Sequence, residues 1–240
     1  MKSFSILVFP DLHLPFHHRR AFAAALRLAH DTRPAIVGQI GDFADFHAVS
    51  RHPKTHGVAR DFAAELAGAR AAGKELWDAT RSAKRRFVTF GNHDTNLERT
   101  IAQQAPELEC VVPTVAEILR FPADVETCHF HEHIMVENIL FTHVVTPRKT
   151  RGQHVVAGHT HTPGIWYTGD PSGSRHFYMN VGYLADWSEL RRVYARSVES
   201  SDWTLALGWI DVDSRGGATA TVIPYVNDAF CFRGNSYRAR

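Results

Sequence analysis

Short apolar runs alternate with longer amphipathic stretches in the first half of the chain. The runs at 4–9, 35–40 and 86–90 are rich in β-branched and aromatic residues, which predicts buried strands. Residues 19–30 have helical periodicity, and a stretch rich in Ala, Glu, Arg and Lys predicts helix from roughly 43 to 85. Strands that alternate with helices are typical of βαβ units and a parallel sheet.

Two shorter helices are predicted at 95–104 and 114–120, and Thr114 and Glu117 have the spacing of a capping box at the start of the second. After about residue 125 the pattern changes to short apolar or alternating runs separated by Asn, Gly, Pro and Ser. That pattern predicts a second set of strands. The runs are VETCHFH, HIMVEN, ILFTHVV, HVVAG, FYMNVG, TLALGWIDV and ATATVIPY, with a hairpin turn at 214–217.

The length of 240 residues and the hydrophobic fraction of 44% suit one α/β domain with a sizeable core. We expect a single domain over 1–240, with the helical stretch at about 43–85 as an insertion. The expected architecture is a two-sheet β-sandwich flanked by helices, because the strands fall into two sets and the helices need an outer face on which to pack.

The net charge and the cysteine content bear on the cellular compartment and on the classes of partner to be expected. The net charge of +2 neither requires nor excludes a nucleic-acid partner. The three cysteines are too few and too scattered for a disulfide framework, and the first apolar run is too short for a signal peptide. We therefore expect a cytoplasmic protein with no membrane partner. Trp187, Trp203 and Trp209 are expected in the core or in the interface of a homodimer, which the sequence leaves open.

Candidate chemistry begins at the ends of the first two predicted strands. The chain has 16 histidines, and histidine is the commonest metal ligand. Asp11 and His13 follow the first strand at positions i and i+2, so in an extended segment they point the same way and can share one ion. Asp42 follows the second strand and a glycine. Its two carboxylate oxygens can bridge two cations. The alternatives are a capping Asp with a surface His, and an ordinary Gly-Asp turn.

The tetrapeptide at 91–94, Gly-Asn-His-Asp, follows the third strand and opens a predicted helix. Asn92 offers an amide oxygen to a metal or a substrate, His93 can donate a proton, and Asp94 can hold that imidazole in one orientation. The alternative is a capped loop-to-helix junction. Two more strand ends carry histidine: His143 after ILFT, and His159 with His161 after HVVAG.

Taken together, the order D-x-H, GD, GNHD, H and GHTH resembles the signature of the calcineurin-like metallophosphoesterase superfamily. The motifs span 11–161, about two-thirds of the chain, and MNVGY at 179–183 is similar, less specifically, to the C-terminal part of bacterial and phage-type members. The resemblance implies a two-sheet sandwich flanked by helices, in agreement with the strand pattern. It also implies ligands for two ions: Asp11, His13 and His161 for the first, Asn92, His143 and His159 for the second, and Asp42 bridging both.

The implied reaction is the hydrolysis of a phosphate ester, preferably a diester, by a hydroxide that bridges two divalent metal ions. His93, steadied by Asp94, would protonate or stabilise the leaving group. Mixed nitrogen and oxygen ligation suits Mn, with Fe, Zn and Ni as alternatives. Arg99, farther along the same helix, is a candidate to bind the substrate phosphate, although a helix-surface arginine is the simpler interpretation.

Two features depart from the family pattern. Val144 stands where the family usually has glycine after the histidine, and only ten residues, 144–153, separate FTH from the next strand. If His143 were not the ligand, the nearest substitute would be the alternating trio His129, His131 and His133, which we otherwise expect on the solvated face of a strand.

Two other functions compete with a general phosphoesterase. A DNA or RNA nuclease would need a basic groove beside the metals, and its affinity for oligonucleotides would depend on salt. A non-catalytic scaffold that binds a partner protein would bind less than one metal per chain tightly. The presence of His93 argues against the scaffold.

Overall fold

The computed structural model describes residues 2–144, 152–169, 173–195 and 200–239. The strands are β1 (Phe4–Phe9), β2 (Ile36–Gln39), β3 (Arg85–Thr89), β4 (Val125–Cys128), β5 (Ile134–Val136), β6 (Ile139–Phe141), β7 (His154–Ala157), β8 (Gly164–Gly169), β9 (Arg175–Asn180), β10 (Ala206–Val212), β11 (Ala218–Val226), β12 (Ala229–Phe232) and β13 (Asn235–Tyr237). The helices are α1 (Arg19–Thr32), α2 (Phe62–Ala79), α3 (Asn96–Gln104), α4 (Val115–Ile118) and α5 (Trp187–Val193), with 3₁₀ turns at His47–Val49 and Pro106–Leu108.

The strands form two sheets. The larger has the order β13-β12-β11-β10-β1-β2-β3-β4, and the smaller has the order β5-β6-β7-β9-β8. In the larger sheet β1 to β4 run parallel, whereas β10 to β13 join as an antiparallel meander beside β1. In the smaller sheet β6, β7 and β9 are parallel. The expected two-sheet α/β architecture is confirmed.

Strand β1 shows why its sequence is apolar on both faces. Leu7 and Phe9 point into the layer of side chains beneath α1 and α2, while Ile6 and Val8 point into the layer between the two sheets. A strand that is covered on both faces is apolar throughout rather than alternating. The central strand is therefore held by two cores at once.

Helix termini follow local rules that the sequence shows. Thr114 caps α4: its side chain accepts from the backbone N–H of Glu117, and the Glu117 carboxylate accepts from the backbone N–H of Thr114. The predicted capping box is confirmed. At α2, the Asp61 side chain accepts from the Ala64 N–H, so this helix begins only at Phe62.

The structure corrects three expectations about elements. The helix expected over 43–85 is confined to Phe62–Ala79, with one 3₁₀ turn before it, because Asp61 caps the helix there and 50–61 form no helix. The strands after 125 do not form a separate sheet, since β4 and β10 to β13 complete the larger one. His129, His131 and His133 lie in the exposed turn between β4 and β5, not on a strand face.

Of the three tryptophans expected in the core or at a dimer interface, Trp209 lies in the core beside the larger sheet and is 1% exposed. Trp187 and Trp203 instead pack against each other with ring centroids 4.8 Å apart, beside the small cluster around Tyr183 and Leu190. In the described part of the chain, no helix has the length and apolar character needed to cross a membrane.

Candidate metal centre

The predicted site residues follow strands whose carboxyl ends meet at one edge of the fold. Asp11 follows β1, Asp42 follows β2, and Asn92 and His93 follow β3 of the larger sheet; His143 follows β6 and His159 follows β7 of the smaller sheet. Parallel strands bring their carboxyl ends together, and open α/β sheets place their sites there.

One group of side chains comprises Asp11, His13 and His161, all buried, with one ligand atom from each lying within 4.8 Å of the others. The Nε2 atom of His161 is 3.0 Å from Oδ2 of Asp11. The Asp11 carboxylate also accepts from the backbone N–H of His159 at 3.0 Å, which fixes its orientation. A single ion placed among these three atoms could therefore contact Asp11, His13 and His161 together.

A second group comprises Asp42, His143 and His159, again within 4.8 Å of one another. The Nε2 atom of His143 lies 3.1 Å from the side-chain oxygen of Asn92, so Asn92 joins the same cluster. His143 is held by its other nitrogen, because Nδ1 donates to the Ile40 carbonyl at 2.9 Å. Fixing Nδ1 in this way turns Nε2 toward Asn92 and Asp42, so the three side chains face the same point, where an ion could bind.

Asp42 connects the two groups. Its Oδ2 atom lies 3.4 Å from Nε2 of His143 and 3.8 Å from Nε2 of His13. Its Oδ1 atom accepts from the backbone N–H of His93 at 2.8 Å, which aims the carboxylate between the two histidines. One carboxylate between two ligand groups is the arrangement that a bridging ligand requires.

A buried ring nitrogen of His13 that has no hydrogen-bond partner among the described residues also fits a metal ion. Nδ1 of His13 lies 2.9 Å from the Asp45 carboxylate, and a carboxylate can only accept, so this nitrogen carries the proton. In the neutral form of the ring, which is the form that binds a metal, Nε2 has a free lone pair; this atom is buried and has no hydrogen-bond partner among the described residues. A buried acceptor without a partner is costly, and a cation removes that cost. The donor set of imidazoles and carboxylates suits a transition metal.

The electrostatics agree with a cation site. Burial alone would raise the pKa of the Asp42 carboxyl, but His143, His93 and His13 hold it well below its ordinary value. Burial likewise opposes protonation of His143, yet the charges of Asp42 and Asp11 raise its pKa to about 9. The pocket thus stabilises positive charge despite being buried.

The backbone is strained at the predicted ligands. Four of them have positive φ angles, which side chains with a Cβ rarely adopt: His13, Asp42, His159 and His161. Two motif glycines are required by close approach. A Cβ at Gly41 would lie 2.1 Å from Nδ1 of His143, and a Cβ at Gly158 would lie 2.4 Å from Oδ1 of Asp11. Such strain is concentrated at functional sites in proteins.

His93 lies beside the two groups, with its ring centroid 4.6 Å from that of His13. Its Nδ1 atom is 3.2 Å from Oδ2 of Asp45, so Nδ1 carries a proton and Nε2 is the remaining nitrogen. Burial alone would lower the pKa of His93, but Asp42 and Asp45 raise it to about 10. The two carboxylates therefore favour the protonated imidazole, which is the form that can donate a proton.

The expectation that Asp94 steadies His93 is wrong. The buried Asp94 carboxylate accepts from the backbone N–H groups of Gly91 at 2.8 Å, Ala44 at 2.8 Å and Phe43 at 3.2 Å. Burial and the charge of Asp42 raise its pKa to about 7. Asp94 therefore joins the loops after β2 and β3, and Asp45 takes the position beside the imidazole.

Arg99 and Val144, which the sequence also singled out, lie outside the two groups of proposed ligands. Arg99 is exposed, and one guanidinium nitrogen donates to the Asn92 carbonyl at 2.6 Å and to the Asn96 side chain at 2.7 Å, so it braces the Asn92 loop. Substrate binding by Arg99 stays a prediction. Val144 is 36% exposed, whereas 145–151 of the short segment 144–153 lie outside the described residues.

Two residues of this site were missed in the sequence. Asp45 stands three positions after Asp42, in GDFAD, and a second carboxylate in the same loop was a usable signal. Tyr194, whose hydroxyl donates to Asp45, comes from the segment after α5, and nothing in the sequence pointed to it. Contacts across 149 positions depend on the fold rather than on a local pattern.

Comparison with known proteins gives a match in structure only. No protein-family model matches the chain, and no curated protein matches it. The structure of Vacuolar Protein Sorting 29 from Cryptosporidium parvum is similar over 100% of this chain and 97% of that one, at 13% identity and a TM-score of 0.50. The chain has the calcineurin-like metallophosphoesterase fold.

Two further structures match with TM-scores below 0.5. The phosphoesterase YfcE from E. coli is 14% identical, with 90% of this chain and 98% of that one covered and a TM-score of 0.48. A dimetal phosphatase from Danio rerio is 11% identical, with 93% and 99% covered and a TM-score of 0.44. At 13% identity the likeness to the Vacuolar Protein Sorting 29 structure establishes the fold alone, and the activity must be argued from the site.

Proposed function

We propose that this protein is a two-metal hydrolase of phosphate esters, with phosphodiesters as the preferred class. The observation that carries the proposal is the position of Asp42, whose Oδ2 atom lies between Nε2 of His143 and Nε2 of His13. Each of those histidines belongs to a separate group that can hold a cation. Two cations bridged by one carboxylate are the usual machinery for phosphoryl transfer to water.

In this proposal Asp11, His13 and His161 hold one ion, Asn92, His143 and His159 hold the other, and Asp42 is shared. When bound, the two ions would polarise the phosphoryl group and acidify the attacking water. Mixed nitrogen and oxygen ligands suit Mn, with Fe, Zn and Ni as alternatives. Mn²⁺ is therefore the ion that we would supply first.

His93 acts on the leaving group. Its Nδ1 proton is committed to Asp45, so the proton that can be transferred is the one on Nε2. The positive imidazole also stabilises the negative charge that develops on the departing oxygen. A carboxylate that orients the ring and stabilises its positive charge is a common partner of a catalytic histidine.

The test measures hydrolysis of diphenyl phosphate and of phenyl phosphate after reconstitution with Mn²⁺. We expect both to be cleaved and the diester to be favoured. His93→Ala should lower kcat by about 100-fold or more, since general acid catalysis contributes that much. Failure to cleave either ester with Mn, Fe, Zn or Ni would reject a general phosphoesterase.

A metal titration separates the enzyme from a scaffold. The proposal predicts two divalent ions per chain in wild-type protein and in His93→Ala, because His93 is not among the proposed ligands. Fewer than one tightly bound ion together with no hydrolysis would favour the scaffold. Cleavage of an oligonucleotide with a strongly salt-dependent KM would favour the nuclease.

A further inference from the structure

The Asp45 carboxylate is shared by three side chains. Its Oδ2 atom lies 2.9 Å from Nδ1 of His13 and 3.2 Å from Nδ1 of His93, and its Oδ1 atom accepts from the Tyr194 hydroxyl. Asp45 is fully buried. The carboxylate therefore orients a proposed metal ligand and the proposed proton donor at the same time, and Tyr194 holds its other oxygen.

Tyr194 is itself held firmly. It follows the last residue of α5, and its backbone N–H donates to the Leu190 carbonyl at 2.9 Å. The backbone on either side is pinned to the loop after β2: Thr55 N–H donates to the Val193 carbonyl at 3.1 Å, and Ala195 N–H donates to the Pro53 carbonyl at 3.0 Å. The hydroxyl is thus presented to Asp45 by a fixed backbone.

We propose that Tyr194 is a positioning residue for His93, acting through the Asp45 carboxylate that both residues contact. This inference rests on the proposed function, in which His93 protonates the leaving group. Without the hydroxyl, the carboxylate can turn about its Cβ–Cγ bond, and Oδ2 no longer meets both imidazoles. The Nδ1 atom of His93 then loses the carboxylate and keeps only the Asp45 backbone carbonyl at 3.3 Å, so the charge and direction of the ring are less well fixed.

The hydroxyl is a reliable donor in this position. Burial and the charge of Asp45 raise the pKa of Tyr194 well above its ordinary value, so the proton stays on the phenol oxygen. The ring packs edge-on to His47 at 4.9 Å and to His52 at 5.9 Å, contacts that a phenylalanine would keep. Tyr194→Phe therefore removes the hydrogen bond and leaves the packing.

The experiment compares Tyr194→Phe with wild type on two Mn²⁺-supported substrates. Bis(4-nitrophenyl) phosphate has a leaving group that departs without a proton, whereas diphenyl phosphate has one that benefits from protonation. For diphenyl phosphate we expect kcat to fall about five- to tenfold, with KM within about twofold, which is the effect of losing one positioning hydrogen bond. For the nitrophenyl ester we expect kcat within about twofold of wild type.

The matched control is Tyr225→Phe, which removes a hydroxyl from a half-buried tyrosine on β11; in the larger sheet β10 and β1 separate this strand from β2, which Asp45 follows. It should leave both rates unchanged. A double-variant cycle supplies the second readout: in the His93→Ala background, Tyr194→Phe should cause no further loss on diphenyl phosphate, because its effect passes through His93.

Equal losses on both esters, no loss on either, or a full loss that persists in the His93→Ala background would each overturn the proposal. If Tyr194→Phe melts below the assay temperature, Tyr194 is replaced by 4-aminophenylalanine, which keeps the ring and an N–H donor. The ratio of the two rates should then stay within about twofold of wild type, and a ratio lowered fivefold or more would overturn the proposal. Wild-type inactivity on both esters would instead reject the proposed function.

Discussion

The Nε2 atom of His143 lies 3.4 Å from the Oδ2 atom of Asp42, and neither side chain is more than 3% exposed. A buried carboxylate needs positive charge beside it, which protonated imidazoles or a bound cation can supply.

Asp42→Asn should disrupt both proposed ion sites at once. The substitution removes the negative charge between His143 and His13 while keeping the side-chain size. We expect the metal content to fall below two ions per chain and the metal affinity to fall more than about 100-fold, because changes even to outer partners of metal ligands cost 10–100-fold.

The measurement for Asp42→Asn is metal analysis together with the rise in melting temperature on adding Mn²⁺, which mass action links to affinity. His30→Ala, an exposed histidine of α1, is the control and should bind metal like wild type. An Asp42→Asn protein that still binds two ions with wild-type affinity would contradict the bridging role.

His143→Ala tests the choice between His143 and the trio after β4. His143 is buried beside Asp42 and Asn92, whereas His133 is exposed in the turn between β4 and β5. We expect His143→Ala to lose one of two ions and His133→Ala to lose none, as measured by metal analysis after dialysis. The opposite result would indicate that the second ion is bound by His129, His131 and His133 instead.

Asp94→Asn distinguishes a carboxylate that only joins two loops from one that orients His93, the proposed proton donor. Asp94 accepts three backbone N–H groups, and an amide keeps only one acceptor oxygen, so at least one buried N–H loses its partner. We expect a loss of about 1–3 kcal/mol in the free energy of unfolding, measured in urea. The ratio of rates on phenyl and nitrophenyl diesters should not change, and a changed ratio would return Asp94 to the role that the sequence suggested.

The sequence could bring most of the proposed ligands together because they follow strand ends within short motifs. Asp11 with His13, and His159 with His161, are local pairs, and the strands before them are continuous apolar runs. The partner of His93 could not be predicted in the same way. Asp94 is its neighbour in sequence, but the loop geometry turns that carboxylate toward Gly91 and brings Asp45 to the imidazole.

The fold shows the same division between local and distant information. Strand β1 and the cap of α4 depend on residues that are close together in the sequence, and both were predicted closely. The assignment of β10 to the larger sheet depends on pairing with β1 across some two hundred positions, as in Ile6 opposite Ile210. An apolar run shows that a strand is buried but not which neighbour it pairs with.

Gly158→Ala should displace Asp11. An added Cβ would lie 2.4 Å from Oδ1 of Asp11 and 2.9 Å from the Ile40 carbonyl oxygen, and the second of these atoms cannot move without the backbone. We expect loss of the ion held by Asp11, His13 and His161, seen as one ion fewer per chain. Gly169→Ala is the matched control, since its nearest atoms are 3.8 Å away in the Arg175 side chain. Full metal content in Gly158→Ala would show that Asp11 is not a ligand.

Glu65, on α2, should make the protein less stable as the pH rises from about 4.5 to about 7. Burial raises the pKa of Glu65 to about 7 from a reference of 4.5, despite the N–H groups of Ala48 and His47 that its carboxylate accepts. Below pH 4.5 the group is protonated in both states. Between 4.5 and 7 the folded chain binds the additional proton, so the free energy of unfolding falls as pH rises.

The shift corresponds to a loss of up to about 3 kcal/mol between pH 4.5 and pH 8 from this one group. Glu65→Gln does not titrate and should lack that component, whereas Glu75→Gln, exposed on the same helix, should keep the wild-type slope. Urea unfolding at pH 5 and pH 8 measures the difference, and the histidines of the metal centre cancel because they are common to all three proteins. Equal slopes in wild type and Glu65→Gln would show that Glu65 ionises in the folded protein as it does in the unfolded chain.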